Sequence, residues 1–341
     1  MSDTRCLIVG PSWVGDMVMA QSLFKRLRRL NPDMAIDVVA PAWSEPLLAR
    51  MPEVRTSIVL PVGHGELKLG TRWRLGRELR GRYDRAIVLP NSLKSALLPF
   101  FAGIPRRTGY VGEQRYGLLN DIRRLDKLAL PMTVQRYAAL ADDAPVREAP
   151  AIDSPRLVIR DAEVDAALSR LGLRRPDAPV LALCPGAEYG PAKRWPAEYF
   201  AEVADYWLHN QGQVWLFGSG KDQEATAEIM RRTDGRCVDL AGKTKLAEAI
   251  DLLSLAEAVV SNDSGLMHVA AAVDRPVVAL YGSSDPGFTP PLSDRAQILS
   301  LGLDCSPCFQ RECPLGHLDC LRKLMPSQVV GALQRLTAVR A

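Results

Sequence analysis

Short apolar runs recur along the chain, and each is followed by a stretch whose apolar residues return at helical spacing. The run RCLIVG (5–10) leads into a segment that places Met17, Ala20, Leu23, Phe24, Leu27 and Leu30 on one helical face, with Lys25, Arg26, Arg28 and Arg29 off it. AIDVVAP (35–41), TSIVLP (56–61) and RAIVLPN (85–91) continue the alternation. VLALCPG (180–186), QVWLFGS (213–219), CVDLAG (237–242), AVVSNDS (258–264) and PVVALYG (276–282) resume it later, with helical patterns such as 195–210 and 246–256 in the gaps. Strands that do not alternate in polarity are covered on both faces, which predicts parallel sheets with helices on either side.

Between the two series lies DDAPVREAPAIDSP (142–155), polar, aperiodic and carrying three prolines, the composition of an interdomain linker. The chain has 341 residues, enough for two domains with a core each. The pattern predicts an α/β protein of two doubly wound parallel-sheet domains, 1–155 and 156–325, followed by a helix over 326–341 that packs back toward the first domain. In such sheets ligands bind beyond the carboxyl ends of the strands. Two of them facing across a cleft suit a reaction between two bound molecules.

Charge adds an asymmetry. Residues 1–150 hold 23 Lys and Arg against 15 Asp and Glu, whereas the remainder holds 20 against 24. A basic first half fits an anionic partner, although basic helix faces that are merely solvated give the same count. No run approaches the roughly 18 apolar residues of a membrane span, and the N-terminus enters its first strand without a secretory signal, so a cytoplasmic protein is expected. Cys6, Cys184 and Cys237 sit singly in apolar runs, as small buried hydrophobes do.

Four segments carry the candidate chemistry. Gly10–Asp16, GPSWVGD, joins the first strand to the first helix and matches neither the dinucleotide nor the P-loop fingerprint. It presents the carboxylate of Asp16, suited to a general base on a hydroxyl or to capping the helix, and the two roles are compatible. Cys184–Pro196, CPGAEYGPAKRWP, offers Lys193 as a point charge for a phosphate, or as a solvated lysine. In Val259–Ala272, VVSNDSGLMHVAAA, a strand turns directly into a helix, so the N–H groups of Ser264, Gly265 and Leu266 face an anion position. There Asp263 or Ser264 can equally cap the helix, and His268 can be a satisfied core residue. Cys305, Cys308, Cys313 and Cys320 fall within sixteen residues, with His317 nearby. They fit a structural zinc site, a reduced thiol loop or one disulfide, and are expected to lie away from the active site.

Taken together, GPSWVGDMVMAQSL, VLPNSLKSALLPFFAGIPRRTGY, RYGLLND, CPGAEYGPAKRWP, VSNDSGLMHVAAA and ALYGSSDPGFTPPL resemble the lipopolysaccharide heptosyltransferases of glycosyltransferase family 9. The matches cover most of the chain in order. The resemblance implies a GT-B fold of two Rossmann-like domains, the acceptor on the first and the nucleotide-sugar on the second. It implies transfer of L-glycero-D-manno-heptose from ADP-heptose to the first heptose of the inner core on heptosyl-Kdo2-lipid A, with inversion and without a metal or other cofactor in the chemistry. By resemblance Asp16 is the general base and Ser12 lines its loop. Lys193, Asp263, Ser264, Gly265, Leu266 and His268 bind the donor. Ala187 and Glu188 fall near a threonine pair of a related member and are assigned to the donor with it.

Lys94, Arg106, Arg107 and Arg115 are acceptor candidates on charge and position. Peripheral contact with the cytoplasmic face of the inner membrane is expected, and no nucleic-acid partner. Rival readings are another nucleotide-sugar enzyme of this fold, such as a 2-epimerase, and a bilobal solute-binding protein.

Overall fold

The computed structural model describes residues 4–338 apart from His64, Pro145 and Arg147. The chain divides into two compact units, Met1–Pro155 and Arg156–Ala341.

In the first unit the elements run β1 (Arg5–Val9), α1 (Val14–Leu30), β2 (Ala35–Ala40), α2 (Glu45–Leu48), β3 (Val54–Val59), α3 (Leu69–Glu78), β4 (Arg85–Val88), α4 (Leu93–Phe101), β5 (Arg106–Tyr110), β6 (Asp121–Arg123) and α5 (Thr133–Ala139). The strands form a parallel sheet in the order β3-β2-β1-β4-β5-β6. Leu7, Ile8, Ile87 and Val88 are fully buried, as the unalternating runs require. Chain order reverses between β1 and β4, and a doubly wound sheet opens its ligand crevice at that reversal. The loop that follows β1 starts there. Gly10 lies at its base in close packing, where a Cβ would stand 2.8 Å from the terminal methyl of Met17 and displace that side chain.

The second unit runs α6 (Asp161–Arg170), β7 (Val180–Cys184), α7 (Ala197–His209), β8 (Gln213–Leu216), α8 (Gln223–Arg232), β9 (Val238–Asp239), α9 (Leu246–Leu253), β10 (Ala258–Asn262), α10 (Gly265–Ala272), β11 (Val277–Leu280), β12 (Ala296–Leu299), α11 (Asp319–Arg322) and α12 (Pro326–Ala338). Its parallel sheet has the order β12-β11-β10-β7-β8-β9. With β7 counted as the first strand, this is the winding of the first unit, and the reversal falls between β7 and β10. The two loops that carry the candidate donor residues leave those two strands.

Two sequence expectations change. The C-terminal helix is not a separate element: Val329, Ala332 and Leu333 of α12 are fully buried in the core of the second unit, with Phe200, Val203 and Ala204 of α7. Its residues 339–341 lie outside the described chain. The linker composition conceals an anchored segment. Arg26 holds Asp142, Ser22 and Lys25 donate to the carbonyls of Asp153 and Ser154, and Arg29 pairs with Asp153. The basic side chains of α1 therefore fasten the linker to the first unit. Positions Pro145 and Arg147 of that linker are outside the described residues.

α10 buries His268 one turn from its start, at 5% exposure. Burial lowers the imidazole to about 4, with Lys193 acting in the same direction and Asp263 opposing. A group whose folded value lies below its ordinary 6.5 is neutral in both states above pH 6.5 and costs nothing there. As pH falls from 6.5 towards 4 only the unfolded chain gains the proton, so stability declines across that window by as much as about 3 kcal/mol. Denaturant titrations of wild type and His268→Gln are expected to diverge between pH 7 and 4, the wild type losing the larger share. Parallel curves would remove the buried neutral histidine as their cause.

Candidate active site

Asp16 is the third residue of α1, in its first turn, where the helix dipole favours a carboxylate. Trp13 occupies the N-cap position, which puts Asp16 at N3, inside the first turn rather than at the cap itself. Asp16 is half-buried, while Ser12 and Trp13 are exposed at the lip of the loop. Tyr137 of α5 lies within its field: burial, reinforced by the Asp16 charge, holds the Tyr137 phenol well above its ordinary range. The phenol therefore remains a neutral donor near the carboxylate. No local pattern marks it, because α5 packs against α1 from more than a hundred residues downstream.

The cationic candidates of this unit divide. Lys94 is half-buried at the second position of α4, whose Leu93 N–H donates to Glu113 at 2.7 Å. Arg115 has a different role from the one expected. It is 2% exposed, and its guanidinium donates to the carbonyls of Tyr110 and Pro90, to Ser92 and Ser95, and to the Asn91 amide oxygen. All five of its N–H groups are used in folding 90–95 back onto β5.

Burial lowers Arg115 to about 10, so it stays charged at neutral pH but offers nothing to an acceptor. Arg107 donates to the carbonyls of Leu118 and Ile104 and lies over the Phe100 ring. Arg106 pairs with Asp121 and Asp143. These arginines build the loops of the basic half, and their charge is largely spent within it.

In the second unit the loop after β7 is drawn over the start of α10. Asn262, fully buried at the end of β10, donates from its amide to the Pro185 carbonyl at 2.6 Å and accepts from the Trp195 N–H at 3.1 Å. Both ends of 185–195 are thereby fixed to the strand that carries the donor loop. Lys193, in a short 3-10 turn (Pro191–Lys193), places its Nζ 2.5 Å from an Asp263 carboxylate oxygen, which also accepts from the Ser284 hydroxyl at 2.5 Å. The pair is largely shielded, at 17% and 6% side-chain exposure. Ser264 occupies the N-cap position of α10 without making a side-chain cap, and its hydroxyl lies 3.2 Å from that of Ser261. The half-exposed first turn at Gly265 and Leu266 keeps its anion-facing N–H groups beside a held lysine.

Ala187 and Glu188 sit apart from this pair. Ala187 is 2% exposed and lends its carbonyl to Arg194, while Glu188 pairs with Lys221 at 2.5 Å. Gly186 is fixed by packing: a Cβ would fall 2.4–2.6 Å from the Asp222 carboxyl group, which caps the turn after β8.

The cysteine-rich segment, expected away from the site, packs against the same loop. Tyr189 donates from its hydroxyl to the Phe309 carbonyl at 2.6 Å, Arg311 donates back to the Tyr189 carbonyl at 2.7 Å, and the Ala192 N–H donates to the Arg311 carbonyl at 3.0 Å. Both Lys193 and Arg311 lie over the Tyr189 ring. The cysteines are free thiols, and among the described residues no three His, Cys, Asp or Glu side chains are disposed to hold one metal ion. Cys305, Cys313 and Cys308 nevertheless lie within electrostatic reach of Cys320 and, after burial, help to raise its thiol. Cys320 is packed into the unit's core beside Leu321 and Leu324, whereas Cys305, Cys308 and Cys313 stay half-exposed. Cys313 is lowered by the N–H groups of residues 315–318.

The family model for glycosyltransferase family 9 (heptosyltransferase) matches residues 72–319. The chain is 50% identical to lipopolysaccharide heptosyltransferase 2 of Salmonella typhimurium, over 97% of this chain and 98% of that protein. The solved Escherichia coli ADP-heptose LPS heptosyltransferase II is 46% identical and superposes with a TM-score of 0.88 over 98% of this chain and 99% of that one. An Escherichia coli heptosyltransferase solved with ADP, 21% identical, shares the GT-B fold at a TM-score of 0.71 over 97% and 99% of the two chains. With half of its residues identical to one such enzyme along nearly the whole length, the chain belongs to glycosyltransferase family 9: it is a glycosyltransferase, and within the family it groups with the lipopolysaccharide heptosyltransferases 2.

Proposed function

We propose that the enzyme moves L-glycero-D-manno-heptose from ADP-heptose to a hydroxyl of the first inner-core heptose on heptosyl-Kdo2-lipid A, with inversion, at the cytoplasmic face of the inner membrane. The observation that carries this reading is the pair of opposite charges that the fold prepares in its strand-end loops. One is the Asp16 carboxylate after β1. The other is Lys193, held by Asp263 at the uncapped start of α10.

The acceptor oxygen attacks the anomeric carbon, the bond from that carbon to the diphosphate oxygen breaks, and ADP leaves with the electron pair. The hydroxyl proton passes to Asp16. Charge grows on the departing diphosphate, where Lys193 and the first amides of α10 stabilise it. Asp263 supports this by fixing the ammonium in place before the donor arrives, so little ordering is left to do on binding. Ser284 donates its hydroxyl to the same Asp263 oxygen and so helps to fix the carboxylate. Tyr137 keeps a neutral phenol near Asp16, so a proton donor rather than a second anion accompanies the base.

The direct assay is incubation with ADP-heptose and a core truncated after its first heptose. Release of ADP with a mass gain of one heptose is expected, and ADP release without that gain would sink the acceptor assignment. Asp16→Asn is expected to lower kcat at least about 100-fold while ADP binding by calorimetry is retained. Turnover near wild type in that variant would free Asp16 from the base role. Lys193→Ala removes a charge-assisted contact and should weaken donor affinity by roughly 10- to 100-fold; an unaltered dissociation constant for ADP-heptose would exclude the lysine from the diphosphate.

Gly190 has φ 154°, and a Cβ there would stand 2.5 Å from the Arg311 carbonyl oxygen. Gly190→Ala should therefore part the loop from 309–311 and raise the donor KM. Unchanged kinetics would show that the contact does not position Lys193.

A further inference from the structure

From Leu67 to Arg82 the first unit presents a surface that neither the sheet nor the loop of Asp16 employs. The sequence is LKLGTRWRLGRELRGR, with six Lys or Arg against one Glu. α3 packs by Gly76 against α4, where a Cβ would stand 2.6 Å from that of Phe101. The same side buries Arg72 and Leu79. Arg72 is spent on structure, donating to the carbonyls of Leu67 and Glu66, and so fixes the segment that leads into the helix.

Helical spacing puts Leu69, Trp73 and Arg77 together on the opposite face. Leu67, Leu69 and Trp73 are 51%, 50% and 51% exposed, and the Arg77 guanidinium lies 5.7 Å from the Trp73 ring centroid. Arg74, Arg80 and Arg82 are exposed around them, and Lys68 pairs with Glu66 at 2.8 Å.

Three large apolar side chains left in water within a dense cationic field form an unusual surface for a soluble face. Apolar residues want a nonpolar phase, and the surrounding arginines select one whose surface is negative. An indole beside a guanidinium suits the headgroup level of a bilayer, where the ring is embedded and the cation meets phosphate. No helix among the described residues is long and apolar enough to cross a membrane.

We propose that Leu67–Arg82 is an interfacial docking surface for an anionic phospholipid bilayer, with Leu67, Leu69 and Trp73 entering the headgroup region and Arg74, Arg77, Arg80 and Arg82 pairing with lipid phosphates. The inference deepens the acceptor reading, since an acceptor anchored by lipid A is met only at a membrane surface. It is tested without that acceptor.

The full-length enzyme is sedimented with vesicles of phosphatidylglycerol and phosphatidylethanolamine, and with vesicles of phosphatidylcholine. Binding to the anionic vesicles is expected, falling as salt is raised. Trp73→Ala is expected to weaken partitioning about tenfold. Arg74→Gln with Arg77→Gln should weaken it roughly 25-fold, at about fivefold per cation. Circular dichroism and transfer to a short, detergent-free core oligosaccharide should match wild type in both variants, which separates loss of docking from loss of fold. Equal binding to both vesicle types, no binding to either, or wild-type partitioning by both variants would overturn the proposal. Failure to transfer heptose to the soluble oligosaccharide while vesicle binding persists would instead count against the acceptor reading.

Discussion

The buried amide of Asn262 is the constraint on which the candidate donor site depends. A parallel sheet delivers β7 and β10 side by side, but nothing in the ladder decides where the loops beyond them go. Asn262 decides it by using both ends of its amide on one loop, the oxygen for the Trp195 N–H and the nitrogen for the Pro185 carbonyl. An unmet polar group at such a depth costs on the order of 1–3 kcal/mol, so the loop cannot drift without leaving several groups unpaired. Lys193 then arrives beside Asp263 as a consequence of the chain's route, and the first turn of α10 lies beneath it. The ion pair results from that placement and need not supply much stability itself.

The basic character of the first unit has two separate origins. Arg85, Arg107, Arg115 and Arg136 donate to backbone carbonyls, and Arg26, Arg106 and Arg123 hold aspartates, so their charge serves to fold long connections. Arginine suits this work because its planar fork meets several carbonyls at once and remains charged when buried. Apart from Arg72, the cations of α3 and its flanks face outward instead. A net charge summed over the whole half mixes these populations, and the first is not available to an anionic partner.

Much of the architecture was legible because buried parallel strands such as VLALC and AVVSN leave an unalternating signature. The strands that escaped are polar or peripheral: RRTGY of β5 carries two arginines, DIR of β6 is three residues, and AQIL of β12 is half-exposed at its sheet edge. Their pairing comes from neighbours, which a local pattern does not contain. The loops were legible as loops, and Asp16, Lys193 and Asp263 could be picked out by charge and position. Arg115 could not be separated from a ligand-binding arginine by sequence, because its acceptors are main-chain carbonyls. Tyr137 and Ser284 were invisible for the related reason that contact at long separation leaves no local trace.

The cysteine-rich segment shows how far motif reading departs from geometry. Spacing drew attention to its four sulfurs, yet the contacts that bear on the donor loop come from the residues between them. Phe309 and Arg311 meet Tyr189 and Ala192 through their own carbonyls and the Arg311 guanidinium, and the Phe309 N–H returns to the Ser283 carbonyl beside Ser284. The segment thus braces Lys193 on one side and the hydroxyl that holds Asp263 on the other. None of those bonds uses a sulfur atom, so the bracing does not draw on the cysteines. The strict requirement falls on the partner: only glycine at 190 allows the Arg311 carbonyl to come so near.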